Sequence, residues 1–516
     1  MKEHSRTEYS ILNISAGLGG YVLSVVLSLI NRMVFTRCLP PAYLGISGLF
    51  SNILSMLSLA ELGVSGAIVY ALYKPLAQND EEKIASLIQV FGKAYRTIGL
   101  VIGGLGLCVL PFLDLLIGEQ PEIAESIHLI YVIFLFNTAS SYFFTYRSTL
   151  LVAAQKSYLV TGLNYLVLCV QEVIQAVFLF SARNYIGYLL IQTGFSLLYY
   201  VWISHIAVRQ YPYIKGKNIK PLDADEKKHI FKDVRDLMAY KVSGVLVNST
   251  DNIIITFFSG LATTGLASNY TLLTGTLKTL LNQVFDGLTA SVGNLNAIES
   301  AEKKYAIFKV ANLLNFWLFS WGAVGIALVS SDLVRLLFGD QYVLNFVIPL
   351  ILAVNFYTVG MQNAIWIFKH TMGMFRYGRF VQLGTAMLNL LFSILLGRAW
   401  GLFGIFFATF LSRLFTNLWY DPYVICKHAF ERKPIEYLKK YIIYLLILAF
   451  EVLVCYYLAK SMHFSLITNI ILKVILISGI CNAVFFIIFH KTSEFQYLVQ
   501  IINKVKIMVS GLFKKK

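Results

Sequence analysis

The chain has 516 residues, of which 57% are hydrophobic and only 14% are charged, and its mean hydropathy is +0.68. Soluble domains carry about 25% charged residues, so this composition excludes an ordinary water-soluble protein and indicates a membrane protein. The net charge of +16 would fit a nucleic-acid-binding protein. The positive charges lie in the connections between apolar segments, however, and we therefore expect no nucleic-acid partner.

Apolar segments of the length that crosses a bilayer, about 20 residues, recur along the whole chain. We predict fourteen, starting near residues 11, 44, 84, 125, 158, 185, 237, 264, 304, 343, 377, 400, 437 and 464. Nine of the ten prolines lie at or near the predicted ends, where a missing backbone N–H costs least, and only Pro349 lies well inside a span. The sequence therefore predicts an all-α polytopic membrane protein with fourteen transmembrane helices.

The first apolar run follows a short polar head and has no A-x-A cleavage pattern. We therefore expect it to be a retained helix and not a cleaved signal peptide. The six cysteines are scattered, mostly within spans, and form no C-x-x-C pair. That distribution predicts neither a metal site nor a disulfide framework, and we expect no cofactor.

Basic residues indicate the orientation of the spans. If the N-terminus is cytoplasmic and the spans alternate, 33 of the 43 Lys and Arg residues lie on the cytoplasmic side and five lie in outer loops. This asymmetry is the positive-inside rule, which predicts that both termini are cytoplasmic. The tail 491–516 is basic with one apolar face, a pattern that suits either a helix on an anionic inner leaflet or a solvated tail.

Weak self-similarity relates the two halves. INRMVFTRCLPPAYLG, from Ile30, aligns with TDNIIITFFSGLATTG, from Thr250, at an offset of 220, and further matches follow at offsets of 222 and 217. We predict two parallel six-helix lobes, because an even number of spans returns the chain to its starting side. The predicted domains are a lobe at 1–215, a basic linker at 216–236, a lobe at 237–430, helices 13 and 14 at 431–490, and the tail.

The stretch LMAYKVSGVLVNSTDNIIITFFSG, from Leu237, crosses the membrane yet carries polar groups along one face. At 100° per residue, Asn248, Asn252 and Ser259 fall near the line of Lys241, and Asp251 flanks that line. Lipid penalises such a stripe, whereas a water-filled cavity accepts it. Lys241 lies near the cytoplasmic end, where snorkelling is an equal explanation.

Other predicted spans repeat the pattern. The first carries Asn31 beside Arg32, the second carries a ladder of four serines ending toward Glu61, and the later spans add Lys278, Asn282, Asp286, Asn355, Thr358, Gln362, Thr409, Arg413 and Asn417. We predict that these stripes converge on one cavity. Two alternatives stay open, namely an Arg32–Asp251 bridge that only neutralises both charges and a serine ladder that only permits close helix packing.

Two segments carry a resemblance to a known family. RCLPPAYLGISGLFSNILSMLSLAELGVSGAIVYALY, from Arg37, and KVSGVLVNSTDNIIITFFSGLATTGLASNY, from Lys241, resemble polysaccharide-repeat-unit (Wzx-type, O-antigen) flippases of the multidrug/oligosaccharidyl-lipid/polysaccharide exporter superfamily. The resemblance covers residues 8–490, but its motifs are soft glycine, asparagine and charge positions. The sequence departs from the lipid II branch because it has few arginines in its first two helices.

The resemblance implies an alternating-access flippase that moves an undecaprenyl-diphosphate-linked oligosaccharide to the outer leaflet of the bacterial cytoplasmic membrane. It also implies that Arg32 is the first-helix cation of the cavity and that 437–490 form a groove for the lipid tail. The product would serve capsule, O-antigen or exopolysaccharide export, with glycosyltransferases and a polymerase as partners. The implied protein is a transporter and not an enzyme.

Charge and hydrogen-bonding capacity indicate which residues hold such a substrate. The predicted substrate-binding residues are Asn31, Arg32, Asn248, Asp251, Asn252, Lys278, Asn282 and Arg413. Arginine matches phosphate bidentately, while Asp251, Glu61 or Glu172 would couple H⁺ or Na⁺. No G-x-x-x-x-G-K-[ST] loop occurs, so ATP is not expected to drive transport directly. A multidrug antiporter of the same superfamily and a membrane-embedded polymerase or glycosyltransferase are the alternatives.

Overall fold

A computed structural model describes residues 6–61, 64–117, 123–216, 222, 224–372, 374, 377, 379–462 and 464–500. For several helical stretches, including 6–16 and 224–249, it describes the backbone alone. The predicted tail residues 501–516 and the side chains of Lys241, Asn248 and Asp286 lie outside this description.

All regular elements among the described residues are helical. The α-helices are α1 (Arg6–Cys38), α2 (Pro41–Leu57), α3 (Val64–Gln78), α4 (Glu81–Val109), α5 (Leu113–Ile117), α6 (Ile127–Ser141), α7 (Ser148–Ala153), α8 (Ser157–Ala182), α9 (Tyr185–Gln210), α10 (Ala224–Ile298), α11 (Ala301–Phe338), α12 (Val347–Gly360), α13 (Asn363–Thr371), α14 (Arg379–Leu414), α15 (Asn417–His428), α16 (Pro434–Lys460) and α17 (Leu466–Phe489). Short 3₁₀ turns at Ser58–Glu61, Leu110–Phe112, Thr145–Arg147, Pro212–Lys215 and Asp340–Tyr342 join or extend them. The predicted fold class is confirmed.

Two of these helices are broken by glycines in conformations that other residues rarely adopt. Gly260 has φ 79° and ψ 166°, and Gly401 has φ 56° and ψ −136°. We name residues 224–259 α10a, 261–298 α10b, 379–400 α14a and 402–414 α14b. With these breaks, twelve of the fourteen predicted starts lie within four residues of a helix start. The exceptions are α1 and α10a, which begin earlier.

The helices have the length and composition of membrane spans. Within the described residues, ten helical runs are long and apolar enough to cross a bilayer, and α2 is a shorter apolar helix. One of these runs, Phe380–His428, has 49 residues, which exceeds a single span of about 20 residues and contains the break at Gly401. The chain is therefore a multi-pass membrane protein.

The chain divides into two compact units, residues 1–265 and 266–516. In the first unit, α1 packs along α8, α8 packs on α9, and α6 packs on both α4 and α9. In the second unit, α11 is central and packs against α12, α13, α16 and α17. The division falls within α10b, and the domain bounds expected from the sequence stay a prediction.

Breaks between helices recur at the offsets of the internal repeat. The turn at Leu39–Pro40 separates α1 from α2, and Gly260 breaks α10 220 residues after Pro40. Asn184 caps α9 by accepting a hydrogen bond from the Gly187 N–H at 2.8 Å, and Gly401 breaks α14 217 residues after Asn184. Equivalent places in the two halves therefore carry equivalent turns.

Candidate substrate and ion sites

A buried polar cluster joins the middle of α1 to α8 and α9 in the first unit. The Asn31 amide donates one hydrogen bond to the Glu172 carboxylate and another, at 3.1 Å, to the Tyr188 hydroxyl. Asn31 is only 4% exposed, and its Oδ1 accepts no hydrogen bond from the described residues. Because buried amide oxygens are normally satisfied, this oxygen is an acceptor available to a ligand.

Further polar groups extend this Asn31–Glu172 cluster along α8. Gln171 donates to Gln175 at 3.1 Å, and Gln175 donates to the Tyr188 carbonyl oxygen at 3.0 Å. Arg32 and Glu172 both lie within electrostatic range of the Tyr188 hydroxyl. The predicted first-helix cation and one predicted ion-coupling acid thus lie around the same tyrosine.

Aromatic rings enclose the cluster toward α2. Tyr185 and Tyr188 are stacked with centroids 6.2 Å apart, and Phe35 meets both rings edge-on. The Tyr185 hydroxyl lies 2.7 Å from Ser47 Oγ, the first serine of the predicted ladder. Ser51 and Ser55 of that ladder are exposed, so its members differ in their surroundings.

The second predicted acid of this unit, Glu61, lies apart from that cluster in a cage of tyrosines. The Tyr95 hydroxyl donates to Glu61 at 3.4 Å, and Tyr142 and Tyr200 lie near the same carboxylate. Glu61 ends the 3₁₀ turn after α2. Two carboxylates of the first unit are thus each held by phenol hydroxyls, which can donate to an ionised acid or accept from a protonated one.

In the second unit, two predicted cations come together. Lys278 on α10b and Arg413 at the end of α14b act on each other electrostatically. Among the described residues, no carboxylate pairs with Lys278, whose side chain is half-buried. One helical turn further along α10b, Asn282 accepts a hydrogen bond from Asn363 at 2.8 Å. Two positive charges and two amides therefore lie close together along α10b.

Buried amides with unused hydrogen-bonding capacity lie nearby. Gln362, at the break between α12 and α13, is 1% exposed, and its Oε1 and Nε2 have no partner among the described residues. It precedes Asn363 in the chain. Asn355 donates to the Phe406 carbonyl oxygen at 2.9 Å, while its Oδ1 accepts nothing from the described residues.

Other predicted polar residues lie in packed helix contacts. Thr409 accepts from Asn389 at 3.2 Å, and Asn417 donates to Gln382 at 3.3 Å, so both lie against α14a. Asn252 lies against Gly48 of α2, where the amide nitrogen would be 3.3 Å from an added Cβ. Asp251 is half-buried beside it on α10a.

Several of these site residues were missed by the sequence interpretation, namely Tyr188, Gln171, Gln175 and Asn363. The run QEVIQ, from Gln171 to Gln175, places three polar side chains within one turn of an apolar span, and that signal was available. Tyr188 and Asn363 gave no such signal, because tyrosine is common in spans and Asn363 lies at a helix break.

By sequence alone, the chain matches no protein-family profile and no curated protein. By structure, it is similar to the inward closed conformation of the lipid II flippase MurJ, with a TM-score of 0.65 and 14% identity over 92% of this chain and 99% of that one. It is also similar to an inward-facing multidrug resistance MATE family transporter of the MOP superfamily (TM-score 0.57, 13% identity, 76% and 91% covered). A MATE transporter of Vibrio cholerae, VcmN, gives 0.54 and 13% identity, with 83% and 100% covered.

These likenesses define the class of fold. Each covers at least three quarters of this chain and nine tenths of the solved one, so the resemblance is global and not limited to a few helices. The chain is a membrane protein with the fold shared by these flippases and transporters.

Proposed function

We propose that the chain is an alternating-access flippase of the MOP superfamily, which moves an oligosaccharide linked to a lipid diphosphate from the inner to the outer leaflet. The observation that carries the proposal is the proximity of Lys278 and Arg413 in the second unit. Two like charges drawn together in a membrane protein are costly unless an anion accompanies them. A diphosphate supplies that anion.

The chemistry of the two cations suits this ligand. The guanidinium of Arg413 binds phosphate oxygens in pairs, and Lys278 adds a point charge. The amides of Asn282, Asn363 and Gln362 lie along the same helices. Sugar hydroxyls are donors as well as acceptors, so they suit amides with unused hydrogen-bonding capacity.

We assign the first unit to sugar binding and ion coupling. Asn31 offers an unused acceptor, Arg32 adds a positive charge, and Glu172 and Glu61 are carboxylates within hydrogen-bonding reach of tyrosines. Asn248, Asp251 and Asn252 of α10a complete the proposed substrate set, and Asp251 is the third candidate for binding H⁺ or Na⁺. Residues 437–490 are the proposed groove for the lipid tail.

The membrane potential would favour the proposed direction. Moving two negative charges outward against an interior-negative potential releases roughly 4 to 5 kcal/mol per 100 mV. Transport of the anion therefore needs no obligatory counter-ion. We propose a bacterial cytoplasmic membrane with both termini inside, where glycosyltransferases load the carrier and a polymerase consumes the flipped unit.

Deletion of the gene, followed by complementation, tests this function. We expect lipid-linked repeat units to accumulate on the cytoplasmic leaflet without the protein and to be cleared by the wild type. Lys278→Gln removes one charge-assisted contact, worth about 1.5–3 kcal/mol, and should lower the clearance at least about ten-fold. The control is Arg398→Gln, because Arg398 is exposed near the α14 break. Absence of accumulation would refute the proposal.

A multidrug antiporter of the same superfamily is the second candidate. The buried Glu172 favours it, because a carboxylate in a transmembrane helix suits a cationic substrate or proton. Proteoliposomes with an imposed pH gradient distinguish the two functions. An antiporter would accumulate an organic cation such as ethidium, whereas the proposed flippase would leave it outside.

A further inference from the structure

A basic pocket lies within the first unit, away from the Asn31–Glu172 cluster. Its volume is about 240 Å³, and its lining includes four cationic residues, Lys93, Arg96, Arg147 and Lys215. No carboxylate belongs to the lining among the described residues. The other lining residues are Ile88, Gln89, Gly92, Tyr146, Ile214 and Gly216.

The shape of this basic pocket depends on a close contact between α4 and the 3₁₀ turn Thr145–Arg147. A Cβ on Gly92 would stand 2.9 Å from the Tyr146 ring, so glycine is what lets the ring pack there. Tyr146 is 4% exposed and in turn lies under the Arg147 guanidinium, 5.2 Å from the ring centroid. Arg147 also donates to Ser204 Oγ at 2.8 Å. One cation of the pocket is therefore fixed in position.

The remaining cations have no internal counter-charge. Lys93, Arg96 and Lys215 are exposed, and none of them forms an ion pair with another described residue. Glu81 is the nearby acid on the neighbouring surface, where it acts on Tyr213. Four positive charges around one concavity attract an anion more strongly than four dispersed charges would.

Depth relative to the lipid indicates the kind of anion. From Ile98 to Ile117 the chain is apolar apart from Asp114, and Lys93 and Arg96 lie just before this stretch. Lys215 follows the end of α9 by five residues. The pocket thus lies where apolar spans give way to charged segments, which is the level of the lipid headgroups.

We propose that this pocket binds a phosphate group, carried by the headgroup of an anionic phospholipid in the leaflet that the basic segments face. Basic pockets between transmembrane helices recognise such headgroups through their phosphates. The site is separate from the proposed substrate cluster and does not depend on the proposed function. A soluble phosphate has the same chemistry and is the other possible source.

Native mass spectrometry of protein released from phosphatidylcholine nanodiscs, with and without a minority of phosphatidylglycerol, tests the proposal. We expect the wild type to retain phosphatidylglycerol and each removed cation to weaken retention about five-fold, the effect of one basic side chain at an anionic membrane surface. The variants are Lys93→Gln/Arg96→Gln and, separately, Lys215→Gln. The control is Arg209→Gln, an exposed cation of α9 outside the pocket lining.

Calorimetric titration of the detergent-solubilised protein with inorganic phosphate identifies the source. Cation-dependent retention of phosphatidylglycerol supports a lipid site, and cation-dependent binding of phosphate without lipid retention supports a phosphate site with a soluble ligand. Equal lipid retention and equal phosphate binding in all variants would overturn the proposal, as would an equal loss in Arg209→Gln. Unchanged unfolding temperatures ensure that the variants are folded.

Discussion

Gly45 and Gly265 pack against each other's helices in a reciprocal contact. A Cβ on Gly45 would stand 2.0 Å from the Leu261 carbonyl oxygen, and a Cβ on Gly265 would stand 2.1 Å from the Pro41 carbonyl oxygen. Both the two glycines and the two carbonyl residues are 220 residues apart, the offset of the internal repeat. The contact is therefore the one expected of duplicated segments related by a local two-fold axis.

Gly45→Ala and Gly265→Ala are expected to destabilise the protein. Each added methyl group would meet backbone, which cannot move aside as a side chain can, and such overpacking costs about 1–3 kcal/mol. Thermal unfolding in detergent should show a lower midpoint for both. The control is Gly275→Ala in α10b, where nothing lies within 4 Å of an added Cβ and alanine improves helix propensity. Equal midpoints for all three variants would contradict this account of the contact.

Glu172→Gln is expected to change the pH dependence of transport more than the fold. The substitution keeps the shape of the side chain and a hydrogen-bonding group beside Asn31 but removes the titratable carboxyl. If Glu172 couples an ion, the transport rate of the variant should vary less between pH 5 and 8 than that of the wild type. The rate is measured in proteoliposomes across that range.

Glu125→Gln is the control for Glu172→Gln, because Glu125 also accepts a hydrogen bond, from Tyr43, but lies outside the predicted ion-coupling set. A pH profile for Glu172→Gln identical to that of the wild type would remove Glu172 from ion coupling. Asp251 and Glu61 would then be the remaining candidates.

The Lys369–Asp421 pair is expected to behave as a buried ion pair. Lys369 Nζ lies 2.6 Å from Asp421 Oδ1, and the side chains are 8% and 1% exposed. Removal of one partner leaves an uncompensated charge and should cost about 3–5 kcal/mol. Asp421→Asn and Lys369→Met should therefore lower the unfolding midpoint strongly. The double variant Lys369→Met/Asp421→Leu should recover most of the loss, and a merely additive double variant would contradict the pairing.

Glu494 is expected to make stability depend on pH at the start of the tail. Burial alone would raise its pKa, but the hydrogen bond from Lys440, at 2.9 Å, and the charge of Lys309 outweigh burial and lower the pKa to about 2. The stabilisation is therefore complete above the ordinary pKa of about 4.5 and is lost as the pH falls toward 2. Because both lysines are about one third exposed, we expect an effect of roughly 1 kcal/mol or less.

Unfolding midpoints of the wild type and Glu494→Gln between pH 6 and 3 measure this effect. The wild type should lose stability relative to the variant as the pH falls, and the two should converge at the acid end. A constant difference across the range would show that the ion pair with Lys440 does not contribute.

The sequence by itself determined the helices and their ends. Apolar length, proline positions and polar punctuation located twelve of the fourteen helix starts to within four residues, including the two that follow the breaks at Gly260 and Gly401. Hydropathy works in this way because a bilayer imposes one condition on every span, namely about 20 residues with internally satisfied backbone groups. The repeat was also visible, since matched glycines occupy matched turns.

Only the tertiary structure decided which polar residues meet. Asn31 and Glu172 lie 141 residues apart in the chain, and Lys278 and Arg413 lie 135 apart, so no local periodicity relates them. The polar face of a helix can be read from its period of 3.6 residues, but the neighbour that this face contacts depends on how helices pack laterally. Thr409 and Asn417 illustrate the difference, because their predicted stripe is satisfied by α14a.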